Sequence, residues 1–171
     1  MSFSLIPRGV YPAVTQISPK ALAEKGVRLV LADLDNTLVP YKETEPTRAV
    51  RTWKDALAAE GITLFLLSNS RKPGRPHGFA QKLDIPCIGH AGKPKREGFF
   101  RAMERIGVTP DQTVMVGDRK YDVEGAEECG IPCIGVTFFD FAPPGELEAS
   151  SAVAVCATAE ELKAVLLRET D

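Results

Sequence analysis

Leu29-Val30-Leu31-Ala32 runs without a break into Asp33-Leu34-Asp35-Asn36-Thr37, and this junction constrains the chain more than any other stretch. The run from Val27 to Ala32 reads as a buried strand. Two carboxylates two residues apart therefore stand where a strand ends. Strand alternation sends both side chains the same way, and the turn into Asn36 and Thr37 exposes them. Buried acids are costly unless they are paired or bind a metal. At about 4 Å and an effective dielectric near 20, two like charges repel by about 4 kcal/mol. Acids gathered at a strand tip imply a cation or a reaction.

Three later segments extend the pattern. Leu64-Phe65-Leu66-Leu67 runs into Ser68-Asn69-Ser70. Lys93 stands directly before Pro94 and a predicted helix. Val114-Met115-Val116 runs into Gly117-Asp118-Arg119-Lys120-Tyr121-Asp122. In order, the chain offers an acid pair, a hydroxyl, a lysine and a second acid pair. Three of the four follow directly on an apolar strand, which is where open α/β sheets bind ligands. Singly, each has an ordinary explanation. An Asp after a strand is usually a turn residue or helix cap, Ser68-Asn69 is a common loop, and an isolated lysine is usually solvated. The order and the placement carry the inference.

Between these points the sequence alternates strands with helices. Ser18-Pro19 predicts an N-cap and the start of a short helix to about Lys25. Pro46 opens a helix with Val50, Trp53, Ala56 and Leu57 on one face, ended by Gly61. Ile62 to Leu67 is the second strand, residues 70–78 a loop, and a short helix follows to Leu83. Ile85 to Gly89 is the third strand. Pro94 opens a helix with Phe99, Phe100, Met103 and Ile106 inward, stopped by Gly107. Thr113 to Val116 is the fourth strand, Tyr121 to Cys129 a helix, and Ile131 to Val136 the fifth strand. A short sixth strand, Ala152 to Cys156, precedes a final helix capped by Thr158 and Glu161. This is the pattern of a parallel sheet of five to six strands with helices on both faces.

The chain of 171 residues is expected to form one domain. Residues 1–26 are an N-terminal extension with a short helix, 27–136 the core, and 137–171 a C-terminal strand and helix. A net charge of -2 argues against non-specific nucleic-acid binding. No apolar run approaches the length of a membrane helix. The start, Met1 to Arg8, lacks the basic-then-apolar layout of a signal peptide, so the cytoplasm is the expected compartment. Cys87, Cys129, Cys133 and Cys156 form no close Cys-x-x-Cys pair, which excludes a zinc knuckle. Cys87, Cys133 and Cys156 are expected as small buried core residues. His77 and His90 are expected in loops, and Trp53 in the core.

With these four segments in order, the chain resembles the haloacid dehalogenase superfamily of phosphohydrolases over roughly residues 27–167. The resemblance implies a three-layer, Rossmann-like α/β fold and a Mg²⁺-dependent phosphatase that works through an aspartyl-phosphate. Asp35, which the dehalogenases themselves lack, favours phosphoryl chemistry. The family pattern makes Asp33 the nucleophile and Asp35 the general acid and base. Asp33, the Asp35 main-chain carbonyl and Asp118 would hold Mg²⁺, with Asp122 as a second or water-mediated ligand. Ser68, Lys93 and the main-chain amides of Asn36 and Asn69 would bind the phosphate. The spacing between the segments leaves no room for a cap domain, which implies an open site for a large or membrane-surface phosphate ester.

Two resemblances within the superfamily diverge. Residues 17–39 with Ser68-Asn69 look like the subfamily IIIA group that includes phosphatidylglycerophosphate phosphatases. Gly117 to Asp122 and the tail look like phosphoglycolate-type phosphatases. A lipid phosphate and a small phosphorylated metabolite are both candidate substrates. A phosphotransferase of the same fold is the alternative, as is a receiver-like or non-catalytic phosphate-binding module. The receiver order fails, because the lysine here precedes the second acid pair. Outside the family pattern, Arg71, Lys72, Arg75 and Arg119, with Lys95, Arg96 and Lys120, are expected to form a basic rim for a second anionic group of the substrate.

Overall fold

A computed structural model of the chain describes residues 18–35, 37–38, 44–70, 72, 74–117, 119–136 and 154–156. Six strands form one sheet: β1 (Leu29–Ala32), β2 (Thr63–Leu67), β3 (Cys87–Ile88), β4 (Thr113–Gly117), β5 (Cys133–Val136) and β6 (Ala154–Cys156). Their spatial order is β3-β2-β1-β4-β5-β6, and every neighbouring pair is parallel. β1 lies inside the sheet with Leu29 in register with both Thr63 and Thr113. The chain first winds outward from β1 to β3, then returns to place β4 on the other side of β1. The switch point is therefore between β1 and β4, where the crevice of an open α/β sheet forms.

The alternation of β1 divides the core into two layers. Leu29 and Leu31 join Phe65, Leu67 and Met115 against helices α4 (Glu97–Ile106) and α5 (Lys120–Glu128). Val30 and Ala32 join Leu64, Leu66, Val114 and Val116 on the opposite face. There they meet α1 (Pro19–Glu24), α2 (Arg48–Ala59) and α3 (Gly74–Leu83), through Leu22, Trp53, Leu57 and Phe79. Burying each large apolar side chain contributes about 1.5–3 kcal/mol, so the central strands dominate the stability. The three-layer α/β architecture is the one expected.

Several boundaries differ from expectation. The Ser18 hydroxyl caps α1 as expected, accepting from the Ala21 amide at 3.1 Å. α2 starts at Arg48 instead of Pro46, because the Thr47 hydroxyl accepts from the Val50 amide at 3.1 Å. α3 starts at Gly74, inside the expected loop, and carries the exposed His77. Buried Pro76, Phe79, Ala80 and Leu83 stabilise it, and Pro76 sits in the first turn, where no intrahelical partner awaits its missing N–H. α4 starts at Glu97, after the Pro94 turn. Phe100 is 46% exposed there, because Phe99, Ala102 and Met103 fill the inward arc. Trp53 is in the core as expected, and His90 is in a loop. The expected final helix lies outside the described residues. Between Leu38 and Ser68 these residues hold α2 and β2, and between Ser70 and Lys93 they hold α3 and β3. Among them no helix is long and apolar enough to cross a membrane.

Gly125 of α5 is a contact point of the second layer. A Cβ there would overlap the ring of fully buried Phe99 and lie 3.2 Å from the Pro94 Cα. Gly125→Ala is therefore expected to destabilise the fold by about 1–3 kcal/mol through overpacking, despite the better helix propensity of alanine. A thermal midpoint lowered by several degrees is the expected readout; a midpoint equal to or above the parent would contradict the close packing.

Cys129 and Cys133 are buried and Cys87 is half-buried, a partial departure from the expected core position. Burial pushes the Cys87 thiol up to about 11 against the lowering effect of Arg105, and burial also raises Cys129 and Cys133. A protonated thiol is a poor nucleophile, since the thiolate is the reacting form. Peptide mapping after iodoacetamide at pH 8 should find these three cysteines largely unmodified in folded protein and labelled after denaturation. Rapid labelling of folded Cys133 would contradict its burial.

Candidate active site

The site is built at the carboxyl edge of β1, β2 and β4. The Asp33 amide donates to the Val116 carbonyl at 3.2 Å, which holds the first residue after β1 against β4. The Ser68 amide donates to the Ile88 carbonyl at 3.0 Å, and the Ala91 amide to the Ser68 carbonyl at 2.8 Å. These bonds extend the β2–β3 ladder into the loop that leads to Lys93. The Ser68 hydroxyl is buried and accepts from the Ser70 amide at 3.1 Å.

Lys93 reaches into this edge with its side chain fully covered. Its ammonium donates to Asp122 Oδ1 at 2.7 Å and to Asp33 Oδ1 at 3.2 Å. Burial alone would lower the Lys93 pKa, but the Asp122 and Asp33 carboxylates more than offset it and hold the lysine charged. Burial pushes the Asp122 carboxyl up to about 6, against the pull of Lys93 and with a further upward push from Asp33. The other Asp122 oxygen accepts from the Arg119 amide at 3.3 Å, at the start of α5. Gly117 is required beside it, since a Cβ there would overlap the Asp122 carboxylate. The Tyr121 ring centroid lies 5.7 Å from Lys93 Nζ and 5.6 Å from the Arg119 guanidinium carbon, within cation–π range.

The side chain of Asn69 has a function the sequence did not reveal. Its Oδ1 accepts from the Lys93 amide at 2.8 Å, and its Nδ2 donates to the Lys93 carbonyl at 2.9 Å. This two-point clamp fixes the main chain of Lys93 to the end of β2. Asn69 and Lys93 are 24 positions apart, and no local pattern connects them.

Asp35 points elsewhere. Its carboxylate pairs with Arg75 from the first turn of α3. Arg75 is therefore turned onto an acid of the site instead of standing free as rim, which corrects the expectation for that residue. Lys72 is exposed, and Arg119 is half-buried. Asn36, Asp118 and Arg71 lie outside the described residues, as does the side chain of Lys120.

The donor set suits a hard cation. Asp33 and Asp122 are buried carboxylates drawn onto one positive charge, and carboxylate oxygen is the ligand chemistry of Mg²⁺. Among the described residues no group of three or more His, Cys, Asp or Glu could hold a metal.

Removing one member of a buried charge pair typically costs 3–5 kcal/mol. Lys93→Met keeps the length of the side chain and leaves Asp122 and Asp33 uncompensated. We expect a loss of about 3–5 kcal/mol in metal-free protein at pH 7, a drop of roughly 6–20 °C in thermal midpoint. A midpoint within about a degree of the parent would show that the carboxylates do not depend on this charge.

Comparison with known proteins agrees with this geometry. A profile of the family described as "haloacid dehalogenase-like hydrolase" matches residues 48–130, which include Ser68, Lys93 and Asp122. A Bacillus subtilis (strain 168) protein named "probable phosphatase YqeG" is 31% identical over 118 residues, 68% of each chain. A phosphoglycolate phosphatase of Pseudomonas putida is 33% identical over 146 residues, 78% of this chain and 51% of its own length. The chain thus spans only about half of that relative. In fold, the chain is similar to the cobalt-bound deoxy-D-mannose-octulosonate 8-phosphate phosphatase of Haemophilus influenzae. The TM-score is 0.64 at 19% identity, over 86% of this chain and 91% of that one. The protein is an enzyme of the haloacid dehalogenase-like hydrolase family, with phosphatases among its relatives.

Proposed function

We propose that the protein hydrolyses phosphate monoesters with Mg²⁺, using Asp33 as nucleophile. The supporting observation is the buried Lys93 bridging Asp33 and Asp122 at the switch point of the sheet. Lys93 takes Oδ1 of Asp33 and leaves Oδ2 to attack phosphorus. The phosphoryl group then meets a fixed positive charge that needs no rearrangement at the moment of reaction. Asp33 forms an aspartyl-phosphate as the ester bond breaks. Asp35 protonates the departing alcohol, then takes a proton from the water that cleaves the intermediate. The Ser68 hydroxyl and the main-chain amides of Asn36 and Asn69 are donors for the phosphate oxygens. Asp33, the Asp35 carbonyl and Asp118 would hold Mg²⁺, with Asp122 behind them; the ion supplies charge neutralisation and orients the phosphoryl group.

The relatives make a small phosphorylated acid such as phosphoglycolate one candidate substrate. The short intervals between β1 and β2 and between β2 and Lys93 favour an uncapped site, which also admits a phosphate at a lipid surface. The basic residues Lys72 and Arg119, with Arg71, would favour a substrate bearing a second anionic group. A panel of esters including phosphoglycolate and phosphatidylglycerophosphate distinguishes these classes.

Asp33→Asn removes the attacking charge and keeps the shape. Turnover should fall by at least about 10³-fold while the variant still melts cooperatively. A chelator should abolish activity in the parent, Mg²⁺ should restore it, and Ca²⁺ should restore little, because it favours a larger and looser shell. Substantial activity of purified Asp33→Asn, or full activity without metal, would refute the mechanism.

A further inference from the structure

The Asp35–Arg75 pair joins two segments 40 positions apart. Its members are mostly covered, with side-chain exposures of 25% for Asp35 and 14% for Arg75. The main chain around Asp35 is held by its own turn. The Leu38 amide donates to the Leu34 carbonyl at 3.1 Å, and Leu34, Thr37 and Leu38 are buried. The Asp35 side chain is held differently. Among the described residues, Arg75 is the donor that reaches its carboxylate, at Oδ1. Arg75 in turn rides on α3, which is seated on the core by Pro76, Phe79, Ala80 and Leu83.

We infer that Arg75 is a positioning residue for the acid–base step, setting which oxygen of Asp35 handles the proton. The inference rests on the role of Asp35 proposed above. A guanidinium only donates hydrogen bonds. The oxygen it holds, Oδ1, therefore cannot carry a proton toward it, and the proton of the acid form sits on Oδ2. With Oδ1 held by α3, Oδ2 is the oxygen left to serve the reacting bond. In the first half-reaction, an Asp33 oxygen bonds to phosphorus as the phosphorus–ester oxygen bond breaks, and the Oδ2 proton passes to the departing oxygen. In the second, water bonds to phosphorus and its proton passes to Oδ2. The phosphorus–Asp33 bond then breaks and inorganic phosphate leaves. An acid free to rotate about its side-chain bonds would spend part of its time with neither oxygen in place, and misorientation of a catalytic group is costly in rate. Breaking a largely covered pair can also cost stability, so the discriminating readout is the chemistry and not the thermal midpoint.

The test compares p-nitrophenyl phosphate with phenyl phosphate in the full-length, Mg²⁺-loaded enzyme. The two esters carry the same charge and differ mainly in how much the leaving oxygen needs a proton. The readout is the ratio of their kcat/KM values, which is independent of hydrolysis of the intermediate. Arg75→Ala should lower kcat/KM for phenyl phosphate at least about tenfold more than for p-nitrophenyl phosphate. Arg75→Lys, which keeps a donor and a charge, should recover part of the selective loss. In an Asp35→Asn background, Arg75→Ala should cost nothing further. Equal losses on both esters would overturn the inference, since that is the pattern of a substrate-binding or structural residue. Additive losses in the double variant would overturn it too. If Arg75→Ala fails to fold, the same ratio in Arg75→Lys and Arg75→Gln decides. Asp35→Asn alone separates the two levels: a parent-like ratio there removes Asp35 as the acid, whereas a selective loss there with none in the Arg75 variants removes only Arg75.

Discussion

A buried ammonium between two buried carboxylates is the constraint around which the rest of the site is arranged. Lys93 cannot be covered without Asp33 and Asp122, and those acids cannot face each other at close range without it. Each partner comes from a different part of the fold: the end of β1, the first turn of α5, and the turn before α4. Satisfying the triad therefore fixes the relative positions of all three. Gly117 and Gly125 belong to the same requirement, because side chains there would collide with Asp122 and with Phe99. The Asn69 clamp adds a fourth anchor, from the end of β2, on the Lys93 main chain. Catalytic geometry and core packing are thus one set of constraints. The Lys93→Met variant addresses both, which is why its stability and not its activity is the informative measurement.

How much of this was legible in the sequence depends on the range of the interaction. Strands were legible because a buried parallel strand is a short continuous apolar run, and Leu29–Ala32 and Thr113–Gly117 sit within a residue or two of their expected limits. The positions of Asp33, Ser68 and Lys93 at the sheet edge were legible because each follows such a run or stands before a proline. Helix starts were less legible. Gly74-Arg75-Pro76-His77-Gly78 reads as a loop by propensity, yet it is helical because Phe79, Ala80 and Leu83 bury an apolar face. Tertiary packing overrides propensity here. Phe100 was misplaced for a related reason: an inward arc has room for few large side chains, and Phe99 and Met103 take it.

The side-chain partners of Asn69 and Arg75 were not legible at all. Their bonds span 24 and 40 positions and depend on how loops leave the sheet, which no local pattern encodes. Arg75 looked like one of several loop cations. Its pairing with Asp35 changes the meaning of the basic cluster, because part of the positive charge is turned onto the protein's own acids.

Charge balance then connects the site to the proposed Mg²⁺. Among the described residues three carboxylates, Asp33, Asp35 and Asp122, pair with two cations, Lys93 and Arg75, and Asp118, a proposed Mg²⁺ ligand, adds a fourth acid in the sequence. The imbalance is two negative charges, the charge one Mg²⁺ neutralises. Without a metal, a phosphate dianion would approach a net negative cleft, and Lys93 alone could not offset the repulsion because its charge is already shared between Asp33 and Asp122. Exposed cations such as Lys72 add attraction at a distance, but screening limits them to about 10 Å at 0.1 M salt. The lysine thus stabilises the folded acid cluster, and the proposed divalent ion would make that cluster able to receive an anion. On the proposed reading, such an edge would have little affinity for phosphate until metal arrives. Metal binding would then be the step that converts a stable acidic edge into the proposed phosphate site.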